Sequence, residues 1–257
     1  MGWGGDPQSD WEGLAASLRG GLSLGMSGNP YHSSDIGGFY GADQPSAELY
    51  VRWLQATVFS SHIRVHGIGE REPWAFGPEV EAICRKWLAF RYRLIPYLES
   101  VIATATATGM PVMRAMPLAF PGNALVRNYE TQFMCGDALL VAPIVQAGGE
   151  VEIALPPGAW YDLNSRRRFG GRQVLRYKAP LDQFPVFGRE GHALPLGRAV
   201  QHTGDIDATN PLDQLWLFGA PANSLDGFTQ ARIEADGDGG FTLRTGTGLE
   251  LVRFEGA

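Results

Sequence analysis

The sequence predicts an α/β part followed by an all-β part, and three observations carry that reading. Helix-period apolar patterns alternate with short uncharged runs across residues 1–109. From Pro111 the texture changes to short apolar or alternating runs separated by Gly and Pro turns, the spacing of antiparallel β-sandwich material. A length of 257 residues is enough for one large or two medium domains with a substantial core. The alternation over 1–109 is that of a parallel α/β layer or barrel. A closed eight-stranded barrel takes about 250 residues, so a segment with two full strands can represent only its last quarter or so.

Taken in order, Ser9 followed by Glu12 has capping-box spacing, and Leu14, Leu18 and Leu22 share one face. This predicts an amphipathic helix over residues 10–20, ended by Gly20-Gly21. Residues 22–27 read as a parallel strand buried on both sides, opening into a loop over 28–41 with Asp35-Ile36-Gly37-Gly38-Phe39 at its centre. A second helix runs from Pro45 to about Thr57 with Leu49, Trp53 and Ala56 on its apolar face, and a strand over 58–65 ends in His66-Gly67. Pro78 then sits where a first helical turn tolerates proline, with Glu79 and Glu81 near the positive end of the dipole. That helix carries Ile83, Trp87, Leu94, Leu98 and Ile102, is kinked at Pro96 and is capped by Gly109. Beyond it, residues 138–145, 151–155, 160–163, 184–187 and 215–218 are the strand candidates. The acidic stretch 236–240 reads as a hairpin turn or loop, since it lacks the ligand spacing of a calcium loop.

Composition removes several function classes. A formal charge of −6 argues against a general nucleic-acid or membrane-surface binder, because both depend on concentrated basic charge. The one basic run, Arg166-Arg167-Arg168, reads as a solvated turn. Cys84 and Cys135 have no zinc-site or disulfide spacing and read as small buried hydrophobes. With no signal-like N-terminus and no apolar run of spanning length, the expected location is cytoplasmic.

Three polar residues stand just beyond the carboxyl ends of strand-like segments: Asp6, Asp35 and His66. In a parallel α/β barrel that common address is the active-site face. Trp3, Tyr31, Phe39 and Trp74 lie nearby in sequence. Aromatic faces stack on the C–H faces of sugars while carboxylates and imidazole bind hydroxyls, so the inventory sketches a sugar pocket.

These residues sit in longer runs that resemble a known family. Trp3-Gly4-Gly5-Asp6, Ser17-Leu18-Arg19-Gly20-Gly21-Leu22-Ser23-Leu24-Gly25 and Ser34-Asp35-Ile36-Gly37-Gly38-Phe39 resemble glycoside hydrolase family 31, which holds α-glucosidases, α-xylosidases and related transglycosylases. Ser61-His62-Ile63-Arg64-Val65-His66-Gly67, Arg71-Glu72-Pro73-Trp74-Ala75-Phe76-Gly77, Arg93-Leu94-Ile95-Pro96-Tyr97-Leu98, and Gln132-Phe133-Met134-Cys135-Gly136-Asp137 with Val141-Ala142-Pro143 extend the match in order to about residue 195. The resemblance implies that Asp6 is the general acid/base. It also implies that Trp3, Asp35 and Phe39 shape the sugar subsite and that His66 binds hydroxyls of the ring being cleaved. It divides the chain into the end of a (β/α)8 barrel (1–109), a proximal C-terminal β-sandwich domain (110–195) and part of a distal β domain (196–257).

Two departures qualify the expectation. Where the family commonly has Trp-Ser-His-Asp, this chain has His32-Ser33-Ser34-Asp35, altering an aromatic stack and an imidazole. The family's nucleophilic aspartate and an arginine of the same subsite precede the Trp-Gly-Gly-Asp motif and have no counterpart here. Retaining glycosidases need two carboxyl groups about 5–5.5 Å apart, so the expectation is a fragment of an α-glycosidase that is inactive alone. The substrate implied is an α-linked oligosaccharide or glycoside, and the partner a missing N-terminal half or a second copy; no metal or organic cofactor is implied. The alternative is a non-catalytic module that binds carbohydrate or docks on a partner.

Overall fold

The computed structural model describes residues 2–41, 44–208, 211–220, 231–235, 241–245 and 248–254. Its first part contains β1 (Gly2–Trp3), α1 (Trp11–Met26), β2 (His32–Ser33), α2 (Ala47–Thr57), α3 (Pro78–Arg93) and α4 (Ile95–Thr108). Then come β3 (Met113–Ala115), β4 (Phe133–Cys135), β5 (Leu139–Val141), β6 (Glu150–Leu155), β7 (Ala159–Asp162), β8 (Arg168–Gly170), β9 (Gln173–Lys178) and β10 (Val186–Arg189). The chain closes with β11 (His192–Leu196), β12 (Gln214–Phe218), β13 (Ala231–Ala235), β14 (Phe241–Thr245) and β15 (Glu250–Phe254). The predicted turn at 236–240 lies outside the described residues.

The first helix differs from the expectation. It begins at Asp10, whose carboxylate accepts the Gly13 N–H at 2.7 Å, while the Ser9 hydroxyl is held by Arg71 instead of capping. It also runs through Gly20-Gly21 to Met26, absorbing the strand expected at 22–27. The glycines are there for clearance: a Cβ on Gly21 would lie 2.6 Å from the His32 ring, and one on Gly25 3.2 Å from Pro111. A weak helix former is retained because another segment crosses at contact distance.

The predicted second helix is present as α2, and it is buried from Leu49 to Thr57, polar residues included. The strand expected over 58–65 does not form. Val58 caps α2, the Ser60 hydroxyl donates to Thr57 O at 2.7 Å, and only Arg64 reaches a parallel bridge, to Asp35. Pro78 opens α3 as expected, and Gly109 ends α4 in the left-handed region (φ 78°) with its N–H on Ala105 O. Where a kink at Pro96 is expected, the chain breaks just before it: α3 stops at Arg93, Leu94 bridges, and α4 begins at Ile95 with Pro96 in its first turn, where the missing N–H costs nothing.

The larger sheet has the order β3-β4-β5-β10-β7-β8 and is antiparallel throughout. Its strands alternate between two cores. Phe133, Cys135, Leu139, Val141, Tyr161 and Val186 join the helices, whereas Met134, Leu140, Trp160 and Phe187 pack with Ile153 and Leu155 of the β6–β9 ribbon. Burial on both faces explains why these strands read as continuous apolar runs. A second sheet, β11-β12-β15, pairs β12 antiparallel to β11 and parallel to β15; β13 and β14 form a hairpin pair. One apolar core runs from Leu14 of α1 to Phe254 of β15.

Arg52 fastens α2 to the β part. It is 1% exposed and donates to Ala179 O (2.7 Å), Pro180 O (3.2 Å) and Gln183 O (2.6 Å), and to Gln55 Oε1 (3.0 Å). Hydrogen bonds from a charged donor are worth roughly 1.5–3 kcal/mol each, and orphaned buried carbonyls cost about as much. Arg52→Met is therefore expected to lower unfolding free energy by at least about 3 kcal/mol, read as a fall in the urea midpoint. A change within about 0.5 kcal/mol, the range of an ordinary surface substitution, would show that the clamp is dispensable.

Candidate active site

Three successive segments present their carboxyl ends together. Trp3 of β1 pairs in parallel with Ser33 of β2, and Asp35, just past β2, bridges in parallel to Arg64. The loops beyond them are laced by backbone hydrogen bonds: Phe39 N to Pro7 O (2.7 Å), Ser9 N to Tyr40 O (2.7 Å) and Ile68 N to Phe39 O (2.8 Å). Such approach requires Gly38, at φ +82°, since a Cβ there would meet Ser9 Cα at 2.5 Å. Arg71, 2% exposed, fills the space behind, donating to Gly38 O (2.9 Å), Glu70 O (3.0 Å) and Ser9 Oγ (3.0 Å).

On this laced face Asp6 is exposed, on a turn loosened by Gly5 at φ 85°. Trp3 is 44% exposed. Asp35 is placed differently from an open ligand: its side chain is 0% exposed, and both oxygens accept from Arg64, Oδ1 from Nε and Oδ2 from Nη2 at 2.9 Å. The Arg64 side chain, 41% exposed, lies with its guanidinium 4.7 Å from the centroid of the Trp3 ring. Its pKa is raised chiefly by the hydrogen bond to Asp35, with Asp6 adding a smaller through-space attraction. Phe39 and the exposed His66 form a tilted ring pair at 5.3 Å. Thus Trp3, Asp6, Asp35 and Arg64 make one group, and Phe39 with His66 a second beside it.

Arg64 is the residue that reading for sugar contacts passed over. Its signal is the two-residue spacing to His66, which in extended backbone puts both on one side. A carboxylate with no solvent demands a cation. Of the aromatics expected in the pocket, Trp74 is exposed on the turn Pro73–Phe76. Tyr31 precedes β2, bonds Thr106 Oγ1 at 2.7 Å and packs against the core, away from the strand ends.

The two altered positions contact helices. The Ser34 hydroxyl accepts Trp53 Nε1–H of α2 at 3.0 Å. The His32 ring lies against Gly21 of α1 and within 3.0 Å of a Cβ built on Gly4. Its Nδ1 has no partner among the described residues, and burial pushes its pKa down. A groove of about 660 Å³ runs along α1 past His32, floored by small residues including Gly13, Ala16, Ser17 and Gly20. Among the described residues no cluster of His, Cys, Asp and Glu is arranged to hold a metal ion, and no helix is long and apolar enough to cross a membrane.

Two expectations follow from this geometry. Arg64→Met strands the Asp35 charge. Breaking a fully buried pair costs about 3–5 kcal/mol; with Arg64 partly in solvent, a loss of roughly 2–3 kcal/mol is expected. Asp35→Asn in the same chain should restore part of it, and denaturant midpoints of the single and double variants measure this. For His32 the folded pKa lies below the ordinary 6.5, so the unfolded chain takes up the proton first. Its contribution to stability is complete above about pH 6.5 and is lost as pH falls toward the folded pKa. His62 and His192 are shifted down as well, both first by burial. Melting temperatures at about pH 7.5 and pH 5 should therefore differ more for the wild type than for His32→Gln. Equal differences would show that His32 does not carry the effect.

Comparison with known proteins gives the same assignment from two sides. Residues 1–101 match the model of the glycosyl hydrolases family 31 TIM-barrel domain, and residues 109–194 that of the glycosyl hydrolase family 31 C-terminal domain. Neutral alpha-glucosidase AB of Sus scrofa is 33% identical over 258 residues, covering 98% of this chain and 27% of the relative. The alpha-xylosidase of Saccharolobus solfataricus is 34% identical over 200 residues, covering 76% of this chain and 27% of that protein. The dextranase of Flavobacterium johnsoniae, solved with glucose, superposes with a TM-score of 0.78 at 35% identity over 92% of this chain and 30% of its own. The chain thus spans about a quarter of the length of the curated relatives it matches.

Proposed function

Since the chain belongs to glycoside hydrolase family 31, we propose that it supplies the acid/base half of a retaining α-glycosidase acting on α-glucosides or α-xylosides. In this reading Asp6 donates a proton to the leaving oxygen and later takes one from water. Trp3 and Phe39 stack on the sugar, and His66 binds its hydroxyls. The observation that carries the reading is an exposed Asp6 on the laced strand-end face, beside the Arg64 charge and the open Trp3 ring.

The same geometry bears on what the chain lacks. A retaining mechanism needs a second carboxylate free to attack the anomeric carbon. Asp35 is unsuited to that role, because both its oxygens are committed to one guanidinium and it has no exposure. Asp35 instead orients Arg64, and in the reading proposed here the attacking carboxylate is supplied from outside this sequence. With one carboxylate the covalent step cannot occur, and activity falls by orders of magnitude.

The 257-residue chain is accordingly expected to leave 4-nitrophenyl α-glucoside and α-xyloside uncleaved. Hydrolysis that disappears in Asp6→Asn would overturn the inactive-alone reading. In a longer protein carrying the second carboxylate, Asp6→Asn should cost about 10²–10⁴-fold on substrates with poor leaving groups and much less on a 2,4-dinitrophenyl glycoside. Equal losses on both would remove Asp6 from the proton-donor role.

A further inference from the structure

A second cavity lies remote in sequence from the strand-end residues, where all three stretches of the chain meet. It has a volume of about 410 Å³ and is walled by Trp87 and Phe90 of α3, Phe184, and Trp216 of β12. The walls hold one another in place: Trp87 meets Phe90 edge-on at 5.9 Å and Phe184 at 6.0 Å, and Phe90 meets Trp216 at 6.1 Å. Trp216 is further fixed by its Nε1–H on Gln214 Oε1 at 3.0 Å. The volume is in the range of small-molecule sites, about 300–1,000 Å³.

The charge at this cavity is one-sided. Lys86 and Arg93 line it and no acidic residue does. Lys86 is already met by Asp182, with Nζ to Oδ2 at 3.3 Å. Arg93 has only neutral acceptors among the described residues: Gln214 Oε1 through Nη2, and Gly197 O through Nε at 3.3 Å. That leaves its Nη1 without a partner among them. Asn164 also lines the cavity, with Nδ2 donating to Asp162, Phe184 O and Tyr177 while Oδ1 accepts nothing among the described residues.

We propose that this cavity binds a small planar aryl carboxylate, its ring between the aromatic walls and its carboxylate on Arg93. Arginine is suited to the task, since a guanidinium both stacks on rings and meets a carboxylate with charge-assisted hydrogen bonds. A neutral aryl compound gains the same stacking without the ion pair, and an aryl cation meets the Arg93 charge with repulsion. Occupancy would join α3, the β7–β8 turn and β12, so binding also raises the melting temperature.

The probes are 1-naphthoate and its neutral analogue 1-naphthalenemethanol, titrated against the 257-residue chain by tryptophan fluorescence and calorimetry. The wild type is expected to bind the acid at least about tenfold more tightly than the alcohol, a factor equivalent to one charged contact. Arg93→Gln should remove that preference while leaving the alcohol's affinity within about twofold, a difference below one ordinary hydrogen bond. Arg93→Lys should keep part of the preference, and Ala89→Phe, which fills the cavity from a lining position on α3, should abolish binding of both probes. Equal affinity of the wild type for acid and alcohol, or no saturable binding of the acid, would overturn the proposal without recourse to any variant. Undiminished binding by Ala89→Phe would place the probe elsewhere and overturn it too.

Discussion

A carboxylate with no access to water governs the strand-end face. A carboxyl group buried there requires a charged partner, and one guanidinium meets both of its oxygens. That requirement draws the segment around Arg64 against β2 although it forms no regular strand. The same guanidinium rests on the Trp3 ring, so a single cation ties together three segments that successive helices separate. The exposed Asp6 lies beside a cation whose own partner, Asp35, is closed to solvent.

The same economy recurs behind the face. Irregular backbone inside a protein leaves carbonyls that neither helix nor sheet satisfies, and here arginines collect them. Arg91 donates to the carbonyl oxygens of Val58 (2.7 Å), Ser60 and Ser61 (2.9 Å), holding the stretch after α2 where no ladder forms. Arg52 does so for residues 179–183, and Arg71 for Gly38 and Glu70. A planar fork with five donors can serve several carbonyls at once, which a lysine ammonium on a flexible stem does less well. Burial pushes Arg91 down to about 10, still cationic near neutrality.

Much of this architecture was legible in the residues, and the misses have physical causes. The change of texture at Pro111, the proline start at Pro78 and the glycine stop at Gly109 are local signals, decided within one turn of chain. Strands such as β3, β4 and β8 have three residues each, too few to show a period. Gly20-Gly21 has the local signature of a helix breaker, but the reason for Gly21 is a ring arriving from β2, which the local sequence does not encode. Asp6 stands just past β1 as its position in the sequence predicts, whereas His66 follows a single bridge at Arg64 where a strand is expected. The hold of Arg64 on Asp35 depends on tertiary contact, which spacing alone does not encode.

The contact between His32 and Gly21 makes the two positions an epistatic pair. A ring at 32 is admissible only while 21 has no side chain, and a Cβ at 21 is admissible only once the ring has gone or turned away. The order of mutational steps is thereby fixed: the glycine must come first and the large residue second, with the reverse path passing through a clash. A ring at position 32 is thus admitted on condition that position 21 has no side chain, and position 4, where a Cβ would lie 3.0 Å from the same ring, is tight against it too.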